Sequence, residues 1–191
     1  MPNLNNFRKF VVIGAGYTLV ALAMANNGRT GTSCNDYVSD PSQISQARTM
    51  EVNSEVEELF SLINDYRRSH DVPQLRSSAA LTDIADWMAT DMVNNDYFSH
   101  TDSQGRNPFE RMDENCYKYN TWEGENLAMG ASSAIETLDL WKNSPGHNAN
   151  ILRADFTATG LGLAYSPKGE PYWSQEFGGY LEQEVVYIPV K

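Results

Sequence analysis

Apolar residues return every three or four positions through Val52, Val56, Leu59, Phe60, Ile63 and Tyr66, the spacing of one face of an amphipathic helix. That helix is predicted to end before Val72-Pro73, because proline pushes the residue ahead of it out of the helical region. Leu81, Ile84, Ala85, Met88 and Met92 mark the buried stripe of a second helix, with Ser78 placed to cap its first turn. In YFSHTDSQGRNPFERM, residues 97–112, Asp102, Gly105 and Asn107-Pro108 are turn formers ahead of a short helix from Phe109 to Met112. Glu123-Gly124-Glu125-Asn126 reads as a tight polar turn leading into Leu127-Ala128. Ser133-Ala134-Ile135-Glu136 matches a capping box; Ile135, Leu138 and Trp141 are the stripe of the helix it starts, which Pro145-Gly146 stops. The stretches Thr157 to Tyr165 and Tyr172 to Phe177, separated by Ser166-Pro167-Lys168-Gly169, read as a hairpin. Helices first and strands late predict an α+β domain, a three-layer α-β-α sandwich whose central antiparallel sheet needs helical cover on its faces.

The two ends follow other patterns. The first 25 residues hold no acid, carry Arg8-Lys9 near their start and continue with the uncharged run Phe10 to Ala25. This is the layout of a secretory signal peptide, with Ala23-Met24-Ala25 supplying small residues for cleavage; an uncleaved anchor is the alternative. Residues 26–50 are rich in Asn, Ser, Thr, Gly and Asp and read as a flexible linker. The folded domain is expected over 51–180, and 181–191, with Val185 to Val190, as an edge strand or tail.

Composition narrows the partners. Hydrophobic residues make up 41% and charged residues 20% of the 191 positions, enough apolar material for one core and one domain. The net charge of -11 argues against nucleic acid, whose phosphates call for clustered Lys and Arg. Removing Arg8 and Lys9 with the leader takes that charge from -11 to -13. Cys34 and Cys116 are the two cysteines; in an exported protein they are candidates for one disulfide, the alternative being two free thiols.

Three histidines remain to be placed. His70 follows the first helix and needs no role beyond a favourable position at a helix C-terminus. His100 and His147 sit among small polar and turn residues, His147 immediately after the Pro145-Gly146 break, and such loops line clefts. Glu125 lies between them, and a buried carboxylate there needs partners. Two imidazoles and a carboxylate could hold a divalent metal with an open position, or could form a hydrogen-bonded structural triad. No GxSxG, HExxH or CxxC pattern is present, so nothing marks a nucleophile or fixes metal ligands on one element.

The ordered motifs YFSHTDSQGRNPFERM, GENLAMG, WKNSPGHNANIL, FTATGLGLAY and YWSQEFG closely resemble the CAP superfamily, also called SCP-like, in its short bacterial and archaeal form. The resemblance runs from Val56 to Gly178. It implies an α-β-α sandwich with a central cleft in which the SH histidine is His100, the GEN glutamate Glu125 and the GH histidine His147, with Asn126 and Ser144 beside them. Some members bind a divalent cation such as zinc in this cleft, which makes His100, Glu125 and His147 its candidate ligands. Eukaryotic relatives place a second glutamate three residues beyond the helix tryptophan; counting from Trp141 gives Ser144 instead, which puts a full tetrad in doubt. Glu136 is the nearest upstream acid, and its capping-box position explains it. Phe98, Trp122, Trp141, Phe156 and Trp173 accompany the motifs as core or cleft-wall aromatics.

Three functions are expected from this reading. The first is a secreted or cell-surface-anchored domain that acts by binding an extracellular ligand or protein through the His/Glu cleft, with no cofactor required and zinc as the candidate cation. The second is a metal-assisted hydrolase, peptidase-like, with Glu125 as base. The third is a structural extracellular domain whose polar cleft only holds its layers together. A membrane partner follows only from an uncleaved leader. Lipid binding, known in some family members, has no residue here to carry it.

Overall fold

The computed structural model describes residues 46–115, 117–119 and 121–180, with side chains described from Ser54 onward. Residues 1–25, Cys34, Cys116 and the segment 181–191 therefore lie outside the described residues, and with them the expected signal peptide or anchor, the disulfide and the C-terminal strand or tail.

The chain runs α1 (Gln46–Ser69), β1 (Arg76–Ser77), α2 (Ala79–Asn94), α3 (Pro108–Glu114), β2 (Glu123–Met129), α4 (Ala134–Asn143), α5 (Pro145–Ile151), β3 (Ala158–Tyr165) and β4 (Pro171–Gly178). The four strands form one sheet in the order β1-β3-β4-β2. β2, β4 and β3 pair antiparallel, while two-residue β1 adds a parallel pairing at the β3 edge, so the sheet is mixed where an antiparallel one was expected.

Alternation along the strands divides the sheet into two faces. Leu161, Leu163, Trp173 and Phe177 pack with Leu59 and Ile63 of α1, Trp141 of α4 and Ile151 of α5. On the opposite face Ala158 meets Leu81 and Ile84 of α2 and Met112 of α3, and Leu127 and Tyr172 meet Met88 and Met92. The result is helices on both sides of a sheet, the expected α-β-α layering.

Local chemistry explains the helix ends. Ser78 caps α2 by accepting from the Leu81 N–H at 3.2 Å. Asn107 and Glu110 form a reciprocal capping box on α3, which begins at Pro108 and ends at Glu114, wider than the expected Phe109 to Met112. Past the end of α1, Asp71 adopts a positive φ of 57°, the left-handed geometry that closes helices. Arg67, wholly buried, donates from Nε to Pro73 O at 2.7 Å and from its terminal nitrogens to Ile151 O, Arg153 O and Phe156 O. It ties α1 to the C-terminal end of α5 without any carboxylate, and burial pushes its pKa down to about 10.

Several expectations are corrected. α1 starts at Gln46, inside the stretch read as linker. Glu123 to Asn126 is not a turn but the first half of strand β2. Ser133 does cap α4, but the Glu136 carboxylate accepts from Ser132 rather than from the cap residue, so the capping box is incomplete. Ile135 is 57% exposed and stands outside the α4 stripe. Pro145 does not merely stop α4; as the first residue of α5 it starts another helix, because its missing N–H is one that a first turn leaves unpaired anyway. His147 is accordingly helical. Phe98 and Trp122 are exposed, unlike the buried Trp141, Phe156 and Trp173.

Candidate functional site

The site is assembled where the loop after α2 crosses the α3 side of the sheet. That loop is pinned by two buried aspartates. Asp91 accepts from Tyr97 Oη at 2.5 Å and from the backbone N–H and hydroxyl of Ser103 at 2.9 and 2.6 Å. Asp102 accepts from the Gln104 and Arg106 N–H groups, both at 2.9 Å, and from Arg106 Nε at 2.8 Å. His100, on the loop between them, is thereby held with its ring half in solvent and Nδ1 2.5 Å from Glu125 Oε1.

Glu125 owes its position to strand register. It stands opposite Glu176 across the β2–β4 pairing, and its side chain lies on the α2/α3 face with Leu127. Its own carbonyl accepts from Asn150, and that of Leu127 from Trp141, so both point to the outer edge of β2 rather than into the ladder. Glu125 and Glu176 are therefore a non-hydrogen-bonded cross-strand pair, the kind whose side chains approach most closely. Arg111 of α3, fully buried, reaches down to both: its Nη2 donates to Glu125 Oε2 and lies 3.5 Å from Glu176 Oε1. Its Nη1 is 3.7 Å from Asp102 Oδ2.

The electrostatics follow from burial. Desolvation raises the Glu125 pKa against the opposing pull of Arg111. Glu176, wholly enclosed, is raised well above the carboxylate range by desolvation first and by Glu125 second. The pKa of His100 is lowered, mainly by desolvation; Glu176, when ionised, opposes this and Arg111 adds to it. Its contact with Glu125 is thus a hydrogen bond from a neutral ring rather than an ion pair. Because Nδ1 faces a carboxylate it carries the hydrogen, which leaves Nε2 as an acceptor.

His147 approaches from the other layer. Asn126, fully buried, donates to His147 O at 3.2 Å and accepts from Asn150 at 2.9 Å. Its side chain is a strut between β2 and α5 rather than part of the cleft surface. The pKa of His147 is lowered by desolvation and then by the repulsion His100 exerts when protonated, so the two rings are coupled electrostatically. Ser144 is the half-buried residue ahead of α5, with no side-chain cap hydrogen bond.

Of the expected site, then, His100 and Glu125 are in direct contact, while His147 is tied to β2 through its backbone carbonyl and Asn126. The donor set does not fit a three-ligand metal centre. Both Glu125 oxygens are engaged, one by a guanidinium, and among the described residues no three His, Cys, Asp or Glu side chains stand close enough to hold an ion. Sequence reasoning missed Arg111 and Glu176. An acid in the strand YWSQEFG, between Trp173 and Phe177, was the available signal, since a charge in a doubly covered strand needs a partner.

An open groove of about 720 Å³ is lined by Glu110, Asp113, Glu114, Lys118 and Glu123 among others. It contains neither histidine. Burial, with help from Asp113 and Glu176, pushes the Glu123 carboxyl up to about 7.

Comparison with known proteins agrees with this architecture. A family model described as "Cysteine-rich secretory protein family" (CAP) matches residues 60–177. An uncharacterized protein, YkwD, of Bacillus subtilis is 31% identical over 128 residues, 67% of this chain and 48% of that protein. A crystal structure of an extracellular protein containing an SCP domain from Bacillus anthracis superposes with a TM-score of 0.64 at 28% identity, covering 73% of this chain and 45% of that one. An outer surface protein of Borrelia burgdorferi shares the fold at a TM-score of 0.60 and 22% identity, over 71% of this chain and 95% of its own. The chain thus spans about half the length of the two Bacillus relatives. Among the described residues no helix is long and apolar enough to cross a membrane.

Proposed function

The chain belongs to the cysteine-rich secretory protein (CAP) family, and from that premise we propose that it is an extracytoplasmic binding domain whose recognition surface is the His100/His147 cleft. One observation carries this reading: His100 is half exposed yet has its Nδ1 fixed at 2.5 Å by the buried Glu125. A ring held that way presents Nε2 as a prepositioned acceptor for a hydroxyl or amide of a ligand, with little rotational freedom to lose on binding. The extracellular and surface placement of the Bacillus anthracis and Borrelia relatives supports an extracytoplasmic setting.

The hydrolase reading is changed by the same geometry. Glu125, with its side chain 1% exposed and both oxygens engaged, is badly placed to take a proton from water. In a Glu–His dyad the base is the imidazole, so hydrolysis at this site would use His100, oriented by Glu125. A purely structural cleft leaves the exposure of His100 without a purpose, since the layers are joined by Arg111 and Asn126 further in.

The test is an array of soluble glycans and peptides probed with wild type, His100→Ala, His147→Ala and, as control, His70→Ala. Ligands kept by the control and lost by both cleft variants, at least tenfold in affinity, are the expected result. Retention by both cleft variants, or no ligand for the wild type, contradicts the reading.

A further inference from the structure

The helix that supplies a second carboxylate in eukaryotic relatives offers Ser144 here, but strand β4 supplies one from another direction. Glu176 is wholly buried and opposite Glu125 in register. One of its oxygens, Oε1, lies 3.4 Å from Ser174 Oγ and 3.5 Å from Arg111 Nη2. The other, Oε2, has no hydrogen-bond donor among the described residues. An ionised oxygen enclosed without a donor is costly; the same oxygen carrying a proton is itself a donor, and the neighbouring carboxyl is that of Glu125, its cross-strand partner on the same Arg111 Nη2.

Charge balance points the same way. Asp102 is met by Arg106 at 2.8 Å, which leaves the one charge of Arg111 to face both Glu125 and Glu176. Glu123, on the same face of β2, adds negative rather than positive potential at Glu176. Two ionised carboxylates on adjacent strands with one guanidinium between them cannot both be compensated, and a single proton removes the excess.

We propose that Glu176 is the second acidic member of this cleft and a positioning residue for His100: as a neutral carboxylic acid it donates a hydrogen bond to Glu125. Glu125 then keeps one charge, directed through Oε2 at Arg111, and one acceptor, Oε1, for His100 Nδ1. Arg111, Glu125 and Glu176 together then carry no net charge, although the chain carries -11 overall. This inference rests on the binding reading for its purpose but not for its test, which needs no ligand.

Two measurements on the full chain decide it. Infrared difference spectra of protein with carboxyl-labelled glutamate, wild type minus Glu176→Gln at neutral pH, should show one protonated carboxyl band that the variant has lost, the contribution of Glu123 being common to both and cancelling; no lost band overturns the proposal. The ring nitrogen shifts of His100 are then followed against pH. Glu176→Gln replaces one neutral donor by another, so the His100 midpoint should stay in place, as it would not for a change in mere packing that freed the ring. A fall of about one pH unit or more, the effect of deleting a neighbouring negative charge, means that Glu176 was ionised and contradicts the assignment. Glu176→Leu should raise the midpoint, because Glu125, deprived of its donor, becomes the stronger acceptor for His100. Loss of array binding with these results intact would count against the binding reading alone.

Discussion

Replacing Arg111 by methionine is expected to lower the stability of the domain by about 3–5 kcal/mol, the usual cost of stranding one partner of a buried ion pair. Arg111 is fully buried and stands between α3 and the β2–β4 pair, with Asp102, Glu125 and Glu176 as its neighbours. Methionine fills much of its volume, so lost packing is the smaller part of the effect. The larger part is Glu125, left charged under α3 with no cation to answer it. The double variant Arg111→Met, Glu125→Gln should therefore recover more than half of the loss, the non-additivity expected of two groups in one network. Urea unfolding of the single and double variants measures both; equal losses would mean that packing, not the stranded charge, sets the cost.

A second large effect is expected at Gly160, where alanine should cost about 3 kcal/mol or more, at the upper end of overpacking penalties. A Cβ at that position would lie 2.0 Å from the backbone carbon of Leu81 and 2.1 Å from Thr82 N. Gly162, one step further along the same face, would meet Ala85 C at 2.3 Å. α2 rests backbone against backbone on β3, and no side-chain rearrangement can make room. This contact also sets the height of α2, from which the His100 loop departs. Gly146→Ala is the control: nothing lies within 4 Å of its Cβ, and alanine inside α5 should be neutral or stabilising by up to about 1 kcal/mol. A Gly160→Ala midpoint equal to wild type would mean that α2 sits farther from the sheet.

Much of the layering was legible because it rests on local periodicity. The stripe Leu81, Ile84, Ala85, Met88 and Met92 is buried as its spacing predicts, Ser78 caps it, and the hairpin strands fall within a residue of their expected ends. Misreadings came where one residue type serves two structural purposes. Pro145 ends one helix and begins the next. Glu123, Gly124 and Glu125 have the composition of a turn, yet they form a strand, because Gly124 leaves room for Phe156 on one face and Glu125 finds Arg111 on the other. Neither contact is visible in local spacing. His100, Glu125 and His147 could be picked out from their motifs, but the setting of Glu125 could not: it depends on Arg111 and Glu176, 14 and 51 positions away in the chain, the first brought to it by the packing of α3 and the second by sheet register.

The central claim is that Glu125 orients His100 so that Nε2 faces the ligand. Ring nitrogen NMR of ¹⁵N-histidine-labelled protein, above the His100 midpoint, tests it most directly. The account predicts the Nδ1–H tautomer for His100 in the wild type and a mixture of tautomers in Glu125→Ala with the fold intact. A wild-type His100 protonated at Nε2, or a tautomer indifferent to the loss of Glu125, would contradict it.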